Sequence, residues 1–133
     1  MYAYQTTADP AYLEQTKKWA DGWNWKRGRR YRHADDLACG QAYLDAYKAE
    51  KEPKMLHGIQ EAIDSLIADP QPGRVDWWWC DALYMEPPVL ARLATITGDG
   101  KYYDYLQAPD HGISEKCAAA GFFYGHFFRI QKT

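Results

Sequence analysis

The sequence predicts an all-α fold built of helical hairpins, on three observations. Apolar residues recur at three- and four-residue spacing over several windows, most clearly at Met55, Leu56, Ile59, Ala62, Ile63, Leu66 and Ile67. Acid–proline pairs open such windows at Asp9-Pro10 and Glu52-Pro53, where the acid can cap free N–H groups and the proline already holds a helical φ. The pattern also repeats. Asp9-Pro-Ala-Tyr-Leu13, Glu52-Pro-Lys-Met-Leu56 and Asp99-Gly-Lys-Tyr-Tyr103 begin equivalent helices 43 and 47 residues apart. A two-helix unit of about 45 residues follows; this is too long for the tetratricopeptide pattern and compatible in length with HEAT-type repeats.

The first helix starts at Asp9-Pro10, places Tyr12, Leu13, Thr16, Trp19 and Ala20 at helical spacing, and should stop near Asp21-Gly22. A turn rich in aromatic and basic residues runs from Trp23 to Arg32. A second helix begins at Asp35, with Leu37, Ala38, Gln41, Leu44 and Tyr47 on a broad, largely apolar face. Glu52-Pro53 opens the third, and Asp69-Pro-Gln-Pro-Gly73 breaks it. A fourth is expected from about Asp81 to Ile96, with Pro87 and Pro88 bending it or breaking its first turn. After the turn Gly98-Asp99-Gly100, Lys101 to Leu106 opens a fifth. The repeat pairs Asp35-Asp36-Leu37 with Asp81-Ala82-Leu83, 46 residues on. Neighbouring helices running in one direction would bring both carboxylates out at one end.

A chain of 133 residues supports one modest domain. Its net charge of −2 gives no global pull towards nucleic acid or acidic membranes. Cys39, Cys80 and Cys117 are widely spaced, without a C-x-x-C pair, so neither a disulfide framework nor a zinc site is indicated and a reducing, cytoplasmic setting is expected. The opening residues show neither a basic n-region nor an apolar h-region, and no stretch is long and apolar enough to span a bilayer.

The segment RVDWWWCDALYMEPPV, residues 74–89, sets three of the six tryptophans beside Asp81. With the residues that follow, WWWCDALYMEPPVLARLATITGDGKYYDYL is similar to the unsaturated rhamnogalacturonyl hydrolases of glycoside hydrolase family 105, which are related to the unsaturated glucuronyl hydrolases of family 88. RHADDLACGQAYLDAY resembles the preceding inner-helix segment of that family. The resemblance covers residues 1–106 and leaves 107–133 as a divergent tail. It implies an (α/α)6 toroid, of which this chain would supply two to three hairpins. It also implies removal of a terminal unsaturated (4,5-dehydro) uronic acid from pectin-derived oligosaccharides, with no cofactor. This chemistry differs from the two-carboxylate oxocarbenium route. An aspartate protonates the C4=C5 vinyl ether, water adds at C5, and the hemiketal collapses to release the sugar. By resemblance, Asp81 is the general acid/base and Asp35 its supporting carboxylate, with Asp36 the alternative. Trp78, Trp79, His33, Asp36, Arg32 and Met85 would line the substrate.

Each of these residues also has a plainer reading. Asp81 and Asp35 at helix starts suit capping. General-acid work by a carboxylate calls for desolvation, which the tryptophans beside Asp81 would supply. Trp77, Trp78 and Trp79 must point in different directions, so stacking on a sugar face and core packing are shared among them. His33, Asp35 and Asp36 lie close together, but no other ligands stand at metal spacing, so no metal is expected. Five basic residues between Trp23 and His33 read mostly as a solvated turn, with Arg30 or Arg32 suited to a uronate carboxylate. They read less well as a nucleic-acid surface. The rival to an enzyme is a non-catalytic helical-repeat binding module. An incomplete toroid would expose inner faces and favour self-association.

Overall fold

The computed structural model describes residues 1–72, 75–76 and 81–107, and all regular structure among them is α-helical. The helices are α1 (Tyr2–Thr7), α2 (Pro10–Gly22), α3 (Ala34–Leu37), α4 (Cys39–Glu50), α5 (Lys54–Ala68), α6 (Ala82–Met85), α7 (Pro87–Thr97) and α8 (Lys101–Gln107). They pack as successive hairpins. α4 lies against α5 and α7 against α8, while α4 meets α7 and α5 meets α8 across the hairpins.

The helix starts follow local chemistry. Asp9 accepts a hydrogen bond from the Ala11 N–H at 2.9 Å, with Pro10 in the first turn, as the acid–proline reading requires. Asp99 makes the same bond to the Lys101 N–H at 2.9 Å. Glu52 does not cap: its longer side chain lies 3.4 Å from Lys54 Nζ, and Pro53 takes the cap position of α5. α7 ends on Gly98 at φ 73°, a conformation that costs glycine nothing.

Two expected helices are subdivided. The helix expected from Asp35 is α3 followed by α4, joined through Ala38, which keeps right-handed helical angles. The helix expected from Asp81 is broken at Glu86. Pro87 and Pro88 then form the first turn of α7, where a missing N–H matters least. Without those two N–H groups, carbonyls at the end of α6 lose their intrahelical donors. The Gln41 side-chain amide of α4 meets one of them, donating to the Tyr84 carbonyl at 2.6 Å, and it also donates to the neighbouring Met85 carbonyl at 3.1 Å.

The main core lies between the two long hairpins. Leu44, Ile59, Ile63, Val89, Leu90 and Leu93 are fully buried there, and each such side chain contributes about 1.5–3 kcal/mol. A smaller cluster of Leu13, Ala20, Trp25, Tyr43, Ala46 and Met55 joins α2 to it. Gly40 permits the close approach of α4. A Cβ there would sit 2.5 Å from Ile59 Cγ1 and 3.0 Å from Val89 Cγ1, touching α5 and α7 at once.

Candidate active site

Asp35 and Asp81 lie on α3 and just before α6, two short helices that pack against each other. Three side-chain contacts between the segments that follow one another in the repeat fix their relative course. Arg32 meets Asp76, Gln41 meets the Tyr84 and Met85 carbonyls, and Arg92 meets Asp45. Each joins residues 43 to 47 positions apart, so the segments run side by side in one direction, as the repeat requires.

The repeat correspondence is looser in register than the sequence suggested. α3 begins at Ala34, one residue before Asp35, whereas α6 begins at Ala82, one residue after Asp81. Neither carboxylate is a side-chain cap. Asp81 occupies the cap position of α6 without a capping hydrogen bond and is exposed, and Asp35 lies inside the first turn of α3. The capping reading of both is therefore corrected: the turn at each start is closed by backbone hydrogen bonds.

Around Asp35 the 28–36 loop folds back on itself. Arg30 Nη2 reaches Asp36 Oδ1 at 2.8 Å and Asp35 Oδ2 at 3.3 Å, and the Arg30 backbone N–H also donates to Asp36. The Gly28 N–H donates to the Asp36 carbonyl at 2.8 Å. A Cβ at Gly28 would lie 2.5 Å from Asp36 Cγ, so only glycine allows this approach. Hydrogen bonds from the Arg30 guanidinium hold the Asp36 carboxyl below the usual carboxylate range, against a smaller opposing effect of burial. Asp35 keeps 46% of its side chain exposed, with His33 Nδ1 at 3.3 Å from its Oδ2. Asp36 is thus tied into the loop, and Asp35 beside it is more exposed and more loosely held.

Arg32 forms the other arm. Its Nη1 lies 2.7 and 2.9 Å from the two Asp76 oxygens. Its Nη2 bonds the Asp69 carboxylate at 2.8 Å and the Asp69 carbonyl, at the C-terminal end of α5. Asp76 is buried, and Tyr105 of α8 donates to its Oδ2 at 2.7 Å. Burial, with Asp76 behind it, pushes the Tyr105 hydroxyl well above its ordinary range. Most basic side chains of the 23–33 turn were expected in solvent. Arg30 and Arg32, the two set apart for a uronate carboxylate, turn onto the protein's own carboxylates at 35, 36, 69 and 76. Arg32, expected against a uronate, commits both terminal nitrogens to Asp76 and Asp69.

Met85 is half-buried against the main core. Trp77, Trp78, Trp79 and Cys80, with the tail from 108 onwards, lie outside the described residues, so the aromatic expectations fall there. No group of three or more His, Cys, Asp or Glu among the described residues is placed to hold a metal ion. No helix among them is long and apolar enough to cross a membrane. An open groove along α5, lined by His57, Gln60, Glu61, Asp64, Ser65 and Ala68, contains none of the expected site residues. Sequence reasoning did not find Asp76, Gln41 or Tyr105. The 46-residue repeat offset does not pair them, since Arg32–Asp76 and Gln41–Tyr84 stand 44 and 43 residues apart.

Comparison with known proteins shows the family and the fold. The chain is 32% identical over 117 residues to an unsaturated 3S-rhamnoglycuronyl hydrolase of Formosa agariphila, covering 78% of this chain and 31% of that protein. A protein of the same name from an Alteromonas species is 30% identical over 121 residues, covering 73% of this chain and 28% of that one. Among solved structures, one named a polysaccharide lyase matches with a TM-score of 0.70 at 29% identity. A glycosyl hydrolase family 88 protein from Bacteroides vulgatus matches in fold with a TM-score of 0.71 at 24% identity. Each match covers 77% of this chain and 33% of the solved one. The chain thus spans about a third of the length of these relatives, as one arc of a larger helical array. The model of Glycosyl Hydrolase Family 88 matches residues 1–125, and the chain belongs to that family.

Proposed function

We propose that this chain carries the acid-bearing arc of an (α/α)6 toroid that removes a terminal unsaturated (4,5-dehydro) uronic acid from pectin-derived oligosaccharides, the activity of family 105. Asp81 donates the proton to the C4=C5 vinyl ether. Water adds at C5, and the hemiketal collapses to free the neighbouring sugar. Asp35 is the supporting carboxylate: it is half-exposed and meets Arg30 and His33 at 3.3 Å each, whereas Asp36 is bound more tightly by both the side chain and the backbone of Arg30. His33 stands beside Asp35 to hydrogen-bond the uronate, and Trp78 and Trp79 offer flat faces to the sugar ring. Both curated relatives are named unsaturated 3S-rhamnoglycuronyl hydrolase, which supports trying a rhamnose-linked uronyl unit first. The aromatic edge of α2, with Tyr12, Trp19 and Trp23 exposed, fits a face that a closed toroid would cover.

The observation that carries the reading is an exposed, non-capping Asp81 at the head of α6, next to the Asp35 turn, in a chain of this family. The test follows the ultraviolet absorbance of the C4=C5 bond of an unsaturated uronyl-rhamnose disaccharide. The intact protein should bleach it, and Asp81→Asn should slow the bleaching by about 10²–10⁴-fold. Full activity in Asp81→Asn sinks the assignment. The solved neighbour named a lyase gives a second reading, and the same trace separates them. A lyase acting on the saturated polysaccharide raises this absorbance, whereas a hydrolase lowers it.

A further inference from the structure

We infer that Gln41, Arg32 and Asp76 are positioning residues that fix the spacing between the Asp35 and Asp81 turns; this rests on the function proposed above. Described residues before and after Asp81 in the chain are both held, and both holds reach the segment that carries Asp35. Five residues before Asp81, Asp76 is gripped by Arg32, which stands three residues before Asp35. Three and four residues after Asp81, the Tyr84 and Met85 carbonyls are gripped by Gln41, six residues after Asp35.

The chemistry of the two holds differs. Asp76 is buried under Tyr105, so its ion pair with Arg32 works in a low-dielectric setting and is costly to break from one side. The shorter bond of the Gln41 hold fills the Tyr84 carbonyl, whose helical donor would be the N–H that Pro88 lacks. The proline pair therefore opens an acceptor site on the acid-bearing turn, and the side chain that fills it comes from the neighbouring repeat. Together they fix where Asp81 stands relative to Asp35 without either residue touching the reacting atoms. Misplacing a proton donor by about 1 Å costs about 10²-fold in rate.

The test uses the intact protein, the uronyl disaccharide, and hydrogen exchange of the α6 amides. Gln41→Glu keeps size but replaces the donor with a carboxylate facing two carbonyls. It should lower kcat by about 100-fold with KM changed less than about threefold. It should also speed exchange of the Tyr84 and Glu86 amides, which bond the Asp81 and Ala82 carbonyls. Gln41→Lys, which restores a donor, should recover both readouts. Asp76→Asn is the second variant and should reproduce the kcat loss with KM preserved. Unchanged α6 exchange in both Gln41→Glu and Asp76→Asn overturns the inference, as does a loss confined to KM. A wild-type protein that bleaches no substrate defeats the proposed function alone, because exchange in α6 still reads the two holds directly.

Discussion

Replacing Arg92 by methionine should destabilise the chain severely, and the structure sets the scale. Arg92 of α7 places Nε 2.9 Å from Asp45 Oδ1 and Nη2 3.4 Å from Oδ2, while Nη1 donates to the Pro88 carbonyl at 3.1 Å. The Asp45 side chain is only 8% exposed, so losing the guanidinium strands a carboxylate between α4 and α7. Stranded partners of this kind cost about 3–5 kcal/mol. Arg92 itself is 26% exposed, so water enters part of the gap and the lower end applies, about 3 kcal/mol. For a chain of this size that lowers the melting temperature by about 10 °C. Far-ultraviolet circular dichroism at neutral pH measures it. Asp45→Leu combined with Arg92→Met removes both charges and should recover most of the loss. A single-variant cost below about 1 kcal/mol refutes the reasoning, as does a double variant no more stable than the single.

Gly40→Ala should destabilise the packing of α4, because its Cβ would meet Ile59 at 2.5 Å and Val89 at 3.0 Å. Overpacking of about 1–3 kcal/mol outweighs the helix-propensity gain of about 1 kcal/mol, and a higher melting temperature than wild type contradicts this. The Arg30–Asp36 clamp should resist acid. Asp36 has its pKa lowered by Arg30, so the stabilisation is present above the ordinary aspartate range and is lost only as pH falls below about 4. The Arg30 Nε–H resonance, followed by NMR against pH, should hold its shift down to that point. A midpoint near pH 5 or above contradicts the clamp.

The parts of the fold written in local chemistry were legible. Asp9-Pro10 and Pro87-Pro88 act within one turn, so their effects follow from the residues themselves. Glu52-Pro53 looked equivalent but is not, since one extra methylene carries the carboxylate to Lys54. α1 was not foreseen. None of its residues is buried, so it leaves no apolar stripe to read. The left-handed turn at Asn24 and Trp25 was equally hidden. Burial of the Trp25 ring, with its Nε1 donating to Asp21 at 2.7 Å, holds a bulky residue in a conformation that its sequence alone disfavours. At the candidate site, the acids announced themselves by the repeat. Their supports did not, because Arg32–Asp76 and Gln41–Tyr84 are tertiary pairs whose members look ordinary when read singly.

The proline break after α6 also bears on the order in which the chain assembles. A four-residue helix forms too few hydrogen bonds to survive alone, and two prolines deny it the donors a longer helix would supply. The turn that carries Asp81 therefore has no independent nucleus. It can settle only on a hairpin already in place, with Gln41 waiting on α4. In a chain synthesised from its N-terminus, the earlier repeat serves as the template on which the later acid is set.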